Sequence, residues 1–488
     1  MAAPSIAIIG AGFSGLGMAY YLRQAGIDRF TIYEKASSLG GVWRENTYPG
    51  AACDVQSHLY SFSFDPHYPW SKAYGPQAEI LDYIRQLSRK YDLDRHILYG
   101  HEVTGADYDE ARSVWVVRFS DGTQVEAQVL ITGVGQLHRP SYPRVPGIER
   151  FKGRTFHSAQ WDHSYDLKGK IVASIGTGPS AIQYVPEIAK VVKQLHVFQR
   201  SPAWCVRKTD RVYTAPERWL LNHWPWTHTL DRLRIFWWVE FVASVIQKSS
   251  VFHWFSRRVV QWMHRSLLDE QVKDPVLKAK LTPDFPVGCK RLLFSNEWFS
   301  TLAQGHVELV TDEAVAIDEA GIVTADGKHR AVDCIVYGTG FTATQFLAPM
   351  EFRGRGGVSL RERWKGGADA YFGVGCAGFP NFFMLYGPNT NLGIGTILFM
   401  LERQQRYVVQ CIELLRDRKL RSLDVQAEAQ ARYNRELVER GTQLVYLDGC
   451  NSWYLENGRN TQNWVGYMTE YGRRMKRPNI ADYALEPA

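Results

Sequence analysis

The sequence predicts an α/β fold, two Rossmann-like dinucleotide-binding domains with a helical insertion, and three observations predict it. Two apolar strands each run through a glycine-rich turn into a helix, "IAIIGAGFSGLGMAYYLRQAG" and "KIVASIGTGPSAIQYVPEIAK". The strand that follows each unit ends in a charge, Glu34 in one and Arg200 in the other. A tryptophan-rich amphipathic stretch then separates the second unit from another apolar strand, "CIVYGTGF". At 488 residues the chain is too long for one hydrophobic core. With 45% hydrophobic and 22% charged residues it reads as globular and soluble. The net charge of +7, with both signs interspersed, leans toward anionic ligands and carries no nucleic-acid footprint. Seven scattered cysteines without a C-x-x-C pair fit free thiols in a reducing compartment and exclude a disulfide reductase. The first strand begins where a signal peptide would carry its basic residues, so the expected location is the cytoplasm.

In the first unit, Gly10, Gly12 and Gly15 allow a tight turn, close approach of a pyrophosphate, and helix-on-strand packing. Phe13 and Ser14 open the helix, whose first N–H groups face the phosphates. The next strand, "FTIYEK", ends in Glu34 and Lys35, and a carboxylate there suits a ribose diol; otherwise Glu34 is a solvated strand-end charge. The glycine- and proline-rich loop "LGGVWRENTYPGAACDVQS" brings backbone close to a flavin through Gly40, Gly41, Val42 and Trp43. The same loop carries Asp54, a carboxylate among apolar neighbours, and Tyr60 beyond it joins the cofactor-binding set.

The second unit places Gly176, Thr177, Gly178, Pro179 and Ser180 in the turn, and its next strand, "QLHVFQRS", ends in Arg200 and Ser201. Arg200 and Glu34 stand at the same distance from the first glycine of their units, so the two side chains occupy equivalent places. A carboxylate repels a 2′-phosphate and a guanidinium grips one bidentately, which assigns FAD to the first unit and NADPH to the second. The alternative for Arg200 is an ordinary surface arginine.

"VLITGVG" and "CIVYGTGF" look alike, each a strand ending in a glycine turn, and the latter supplies Gly340 and Phe341 to the cofactor side. "FPNFFMLYGPNTNLGIGTILFMLERQQRYV" passes through Asn389 and a glycine pair into a long helix whose positive end suits a flavin's edge. Because it returns after the NADPH unit, the flavin domain is expected to be discontinuous. The expected boundaries are residues 1–145 and 343–488 for the FAD domain, 150–208 and 289–342 for the NADP domain, and 209–288 for the insertion. Arg234 and Glu240 interrupt the insertion too soon for a membrane span. The preferred reading packs its apolar helix faces on the NADP domain and roofs the substrate cleft with them; the second lays a basic amphipathic helix on a membrane surface. Arg291 follows a loop of Pro283, Pro286 and Gly288, and spacing alone leaves it a cleft or a surface residue.

With these residues assembled, the chain resembles the class B flavoprotein monooxygenases, and within them the type I Baeyer–Villiger monooxygenases. The stretch "FKGRTFHSAQWD" matches their fingerprint, F-x-G-x-x-x-H-x-x-x-W-[PD], through Phe151, Gly153, His157, Trp161 and Asp162. The resemblance runs over nearly the whole chain, including "GGVWRENTYPGAACDV", "CKR", "GTGF" and "GPNTNLG" in order. It implies that NADPH reduces FAD, that the flavin captures O2 as a C4a-peroxide, and that a small-molecule ketone is converted into an ester or lactone. It further implies that Arg291 stabilises the anionic oxygen, that Asp54 orients Arg291, and that His157 couples the two nucleotide domains from a linker. Trp453 matches the tryptophan that contacts the nicotinamide nucleotide, whereas the following "LENGRNTQNW" lacks the glycine-rich loop many members carry there. An N- or S-oxygenating flavin-containing monooxygenase is the alternative, and sulfoxidation a possible side activity. Nucleic acid is not an expected partner.

Overall fold

In a computed structural model of the chain, which describes residues 4–447, 449 and 454–488, the two glycine-rich units build two sheets of one plan. The first sheet runs Phe382–Met384, Val129–Thr132, Ile6–Ile9, Phe30–Glu34, Ile97–Tyr99, with all neighbours parallel. The second runs Arg154–His157, Cys334–Tyr337, Ile171–Ile175, Gln194–Phe198, Val307–Val310, again all parallel. Parallel strands need both faces covered, which is why Ile6–Ile9 and Val129–Thr132 are buried along their whole length. In each sheet the strand before the glycines is central, and the strand order reverses beside it. That reversal opens a crevice at the carboxyl ends of the strands, where doubly wound sheets bind ligands.

The first sheet takes Phe382–Met384 from beyond the last strand of the second, so its chain is discontinuous. After that strand the helix Ile397–Asp417 lies against the helix Phe13–Gln24. The buried Gln405 of the former donates to the Ser14 carbonyl at 3.0 Å.

The stretch from Phe151 to Asp162 forms the edge of the second sheet and the turn that follows. Gly153 is required there, because a Cβ would stand 2.4 Å from the Phe151 ring and 2.5 Å from the Asp333 carbonyl oxygen. Arg154 Nε donates to Asp162 at 2.6 Å, and Trp161 meets Phe156 edge-on at 5.0 Å.

The insertion forms three main helices, Ala215–His223, Pro225–Ala243 and His253–Gln271. Here the preferred expectation holds only in part: Leu267 and Leu268 of the third helix pack into the core of the second sheet, but the second helix packs differently. The second helix turns three of its four charged residues inward, leaving Arg234 exposed: Arg232 donates to the carbonyls of His58 and Ser61 at 2.7 and 3.0 Å, and Asp231 pairs with His58 at 2.7 Å. Glu240 accepts from the Thr469 N–H at 2.8 Å. Buried polar groups are tolerated when hydrogen-bonded, and the carbonyls around residues 58–61 supply the partners, so much of the apolar stripe is left facing solvent. Among the described residues no helix is long and apolar enough to cross a membrane. Cys53, Cys205, Cys334, Cys376 and Cys411 are free and buried, but Cys289 is disulfide-bonded, against the expectation of free thiols throughout.

Candidate active site

One cavity of about 1470 Å³ runs along the carboxyl ends of both sheets. It exceeds the roughly 300–1,000 Å³ of a site for one drug-sized ligand and suits two dinucleotides. No residue between Ala203 and Lys290 lines it, so the insertion does not roof the cleft.

The half around the first glycine turn is shaped for a pyrophosphate. A Cβ on Gly12 would meet nothing closer than the Gly41 Cα at 3.7 Å, leaving an open cradle. The helix Phe13–Gln24 begins there with no side-chain cap, so its first N–H groups remain for a ligand. Gly10, Phe13, Ser14 and Lys35 line the same wall, as do Gly41, Val42 and Trp43. Glu34 accepts from the Ala11 and Ala36 N–H groups at 2.8 and 3.0 Å, with Arg44 at 3.4 Å. Its Oε2, which among the described residues accepts only from Ala11, keeps a further lone pair for a ribose hydroxyl. Trp43 Nε1 donates to the Tyr60 hydroxyl at 3.1 Å, and burial pushes that phenol well above its usual range, so it stays neutral. The start of the helix Ile397–Asp417 also reaches the cavity through Gly395, Ile397 and Leu398.

The half around the second turn is shaped for an anion carrying an extra phosphate. Thr177, Pro179 and Ser180 line it, and a Cβ on Gly178 would find no protein atom within 4 Å. Gly176, at φ +106°, holds the turn, where a Cβ would stand 2.4 Å from the Gly338 carbonyl oxygen. Arg200 is exposed and forms no ion pair among the described residues. Lys290 reaches in from the far side of the insertion and donates to the Ser201 hydroxyl at 2.8 Å. Burial, then the nearby Arg200, pull the Lys290 amine below its ordinary pKa, and an anion between the two cations would relieve that repulsion. Gly340 and Phe341 close this side.

Between the halves lie Arg291 and Asp54. Arg291 Nη2 is 3.9 Å from Asp54 Oδ2, and Gln183 Nε2 donates to the other oxygen, Oδ1, at 3.1 Å. The Asp54 side chain is 9% exposed and that of Arg291 31%, and both line the cavity. Burial works against the guanidinium's charge, but Asp54 and the phenols of Tyr454 and Tyr386 more than offset it, so its pKa stands above the ordinary value. Among the described residues Arg291 makes no hydrogen bond, which leaves its donors for a ligand. The pair is a fixed cation in a cavity, held from behind by a carboxylate that is itself anchored.

Three sequence-predicted residues stand elsewhere, and a fourth lies outside the described residues. Gly15 is a packing glycine, with a Cβ there only 2.0 Å from the Gly10 carbonyl oxygen. Asn389 is buried away from the cavity, where its amide donates to the carbonyl of Asn460 at 2.8 Å and ties two loops together. His157 is also behind the wall: its Nδ1 accepts from the Ala159 N–H at 3.1 Å, and its ring lies 5.5 Å from Tyr142 and 5.7 Å from Phe341. Trp453 falls outside the described residues. In turn, Lys290, Gln183, Tyr48 and Tyr386 line the cavity without having been singled out by spacing. Lys290 and Gln183 carry no signal in their own segments that points to a site, and only the fold joins them to Ser201 and Asp54.

These features can be set beside known proteins. The flavin-binding monooxygenase-like family matches residues 3–350. A Baeyer–Villiger monooxygenase of Pseudomonas aeruginosa is 41% identical over 98% of this chain and 91% of its own, and one of Streptomyces coelicolor 39% identical over 99% and 93%. The solved structure of an oxidized steroid monooxygenase bound to NADP superposes with a TM-score of 0.88 at 30% identity, over 99% of this chain and 100% of that one. A closed cyclohexanone monooxygenase gives 0.88 at 26% identity, over 99% of both. The chain therefore belongs to the flavin-binding monooxygenase-like family and, within it, to the Baeyer–Villiger monooxygenases.

Proposed function

We propose that the protein inserts one oxygen atom of O2 beside the carbonyl of a small-molecule ketone, giving an ester or lactone, and that Arg291 and Asp54 carry the chain's part in that step. The first glycine turn would hold FAD and the second NADPH. When bound, the nicotinamide supplies a hydride and the flavin accepts it and activates oxygen.

The chain's residues do the rest. The helix start at Phe13 and the cradle at Gly12 hold one pyrophosphate, and Gly178 with Ser180 hold the other. Arg200, Ser201 and Lys290 bind the 2′-phosphate that separates NADPH from NADH. As the new C–O bond forms, negative charge gathers on the former carbonyl oxygen, and a preorganised cation aimed at it lowers the barrier. Arg291 is suited to this because its charge is fixed and its donors are uncommitted. Asp54, anchored by Gln183, limits where the guanidinium swings. The observation carrying the reading is this pair, placed where the two nucleotide sites meet. The test is to supply purified holoenzyme with NADPH, air, and a panel of ketones and thioethers, and to analyse the products by gas chromatography. Ester or lactone from a ketone supports the proposal, and sulfoxide formation alone overturns it.

Arg200→Ala is expected to raise KM for NADPH roughly tenfold or more, since one charge-assisted hydrogen bond contributes about 1.5–3 kcal/mol. KM for NADH stays unchanged, because NADH has no 2′-phosphate. Steady-state kinetics with both nucleotides checks this, and equal losses would remove Arg200 from the phosphate site.

His157 acts as a positioning residue, holding the turn after the sheet edge against the Phe341 segment. His157→Ala is expected to keep its FAD and lower kcat several-fold. His157→Asn, whose side-chain oxygen can still accept from Ala159, restores part of the rate. Unchanged kcat in the alanine variant, or no difference between the two, counts against this role.

A further inference from the structure

We propose that the outward faces of the helices Pro225–Ala243 and His253–Gln271 dock on an anionic lipid surface, so that the protein lies on a bilayer without crossing it. The proposal rests on the surface of the insertion and is independent of the oxygenation chemistry.

Among the described residues every exposed tryptophan lies between Trp219 and Trp262. On the first helix Trp226, Leu230, Leu233 and Trp237 follow one another at helical spacing along a single face, and all four are exposed, Trp226 by 59% and Trp237 by 61%. The opposite face carries His228, Asp231, Arg232 and Glu240. These polar groups share the buried side with Ile235, Phe236 and Val239, whereas most of what the helix shows to water is apolar. The second helix continues the surface with Trp254 and Trp262, each 68% exposed, and the connection between the helices adds Val251 at 89%. Soluble monomers rarely leave such rows of large apolar side chains bare.

The charges select the occupant. From Arg218 to Ser266 the chain has only two carboxylates, Asp231 and Glu240, bound to His58 and the Thr469 N–H respectively, and the two at the end of the second helix, Asp269 and Glu270, are paired with Lys278 and Arg207. The exposed charges of that segment are Arg218, Arg234, Arg258 and Arg265. Apart from Arg234, which pairs with Asp231, none forms an ion pair among the described residues. Arg258 stands over the Trp254 ring at 5.3 Å. Tryptophan prefers the headgroup level of a bilayer, and arginine lays its stem on apolar surface while its head reaches phosphate. A second copy of the chain fits less well, because a two-fold contact would lay this basic patch against another copy of the same basic patch.

The test uses the full-length holoenzyme with vesicles of phosphatidylcholine, either alone or mixed with phosphatidylglycerol. Wild-type protein is expected to float with the anionic vesicles, to shift its tryptophan fluorescence to the blue on binding, and to be released by salt. Trp237→Ser with Trp262→Ser, and separately Arg258→Glu with Arg265→Glu, are expected to lower the bound fraction roughly tenfold. Circular dichroism and bound-flavin absorbance show that these surface variants remain folded. Wild-type protein that stays in the soluble fraction with both vesicle types overturns the proposal. So does binding that the substitutions leave untouched, or a stable dimer that covers these tryptophans and excludes lipid.

Discussion

Arg291→Ala is expected to abolish ketone oxygenation while NADPH still reduces the bound flavin within a few-fold of the wild-type rate. Hydride transfer requires the nicotinamide to lie against the flavin and develops no anionic oxygen, so it has little need of this guanidinium. Oxygen insertion does build negative charge on oxygen, in a cavity whose nearest fixed cation is Arg291 backed by Asp54. Removing one such stabilising donor costs about 3–4 kcal/mol, or ~10²–10³ in rate. Reduced enzyme would then pass its electrons to O2 unproductively, consuming NADPH and releasing hydrogen peroxide in place of ester. Arg291→Lys keeps the charge but not the planar fork, and should recover part of the yield. Stopped-flow absorbance and product analysis on one preparation separate the half-reactions. Wild-type ester yield from the alanine variant would remove Arg291 from the mechanism.

The fold was legible because its signals are local. A buried parallel strand, a glycine turn and a helix occupy adjacent residues, so the units at Gly10 and Gly176 declare themselves twice, and even the strands that flank them, "VLITGVG" and "CIVYGTGF", look alike. The opposite charges at Glu34 and Arg200 are equally local, Glu34 closing its strand and Arg200 following two residues after Phe198, the end of its own. The reaction centre was not legible from spacing. Asp54 and Arg291 belong to opposite ends of two separate units, and nothing in either segment says that they meet. The same is true of Lys290 and Ser201, which meet across the whole insertion. Periodicity shows that a helix has an apolar stripe but not which side faces protein. On Pro225–Ala243 the deciding partners, the carbonyls of His58 and Ser61, lie far away in sequence. Asn389 misled for a related reason: a glycine- and asparagine-rich loop resembles a ligand loop whether its amide faces a cofactor or, as here, another loop.

Gly12→Ala and Gly15→Ala, two changes within one turn, are expected to fail differently. At Gly15 the added methyl would stand 2.0 Å from the Gly10 carbonyl oxygen, a backbone atom that cannot swing aside. Relieving that clash means pulling the helix Phe13–Gln24 off the strand Ile6–Ile9 beneath it, in the centre of the first core, where Leu16, Met18 and Ala19 are fully buried. Overpacking of a well-filled core typically costs about 1–3 kcal/mol, and more where backbone must move. Gly15→Ala should therefore melt lower or be recovered largely insoluble. At Gly12 the methyl has no protein atom nearer than 3.7 Å, and the backbone, at φ −89°, suits any residue. What it does occupy is the space above the helix start, where the pyrophosphate of FAD approaches. Gly12→Ala should be soluble, with circular dichroism like the wild type, yet be purified with little bound flavin and be rescued poorly by added FAD. Thermal melting of apoprotein together with the flavin-to-protein absorbance ratio tells the two apart. A Gly12→Ala protein with its full complement of flavin would show that the first turn is not the pyrophosphate site. A Gly15→Ala protein as stable as wild type would show that the helix can shift on its strand more freely than this packing allows.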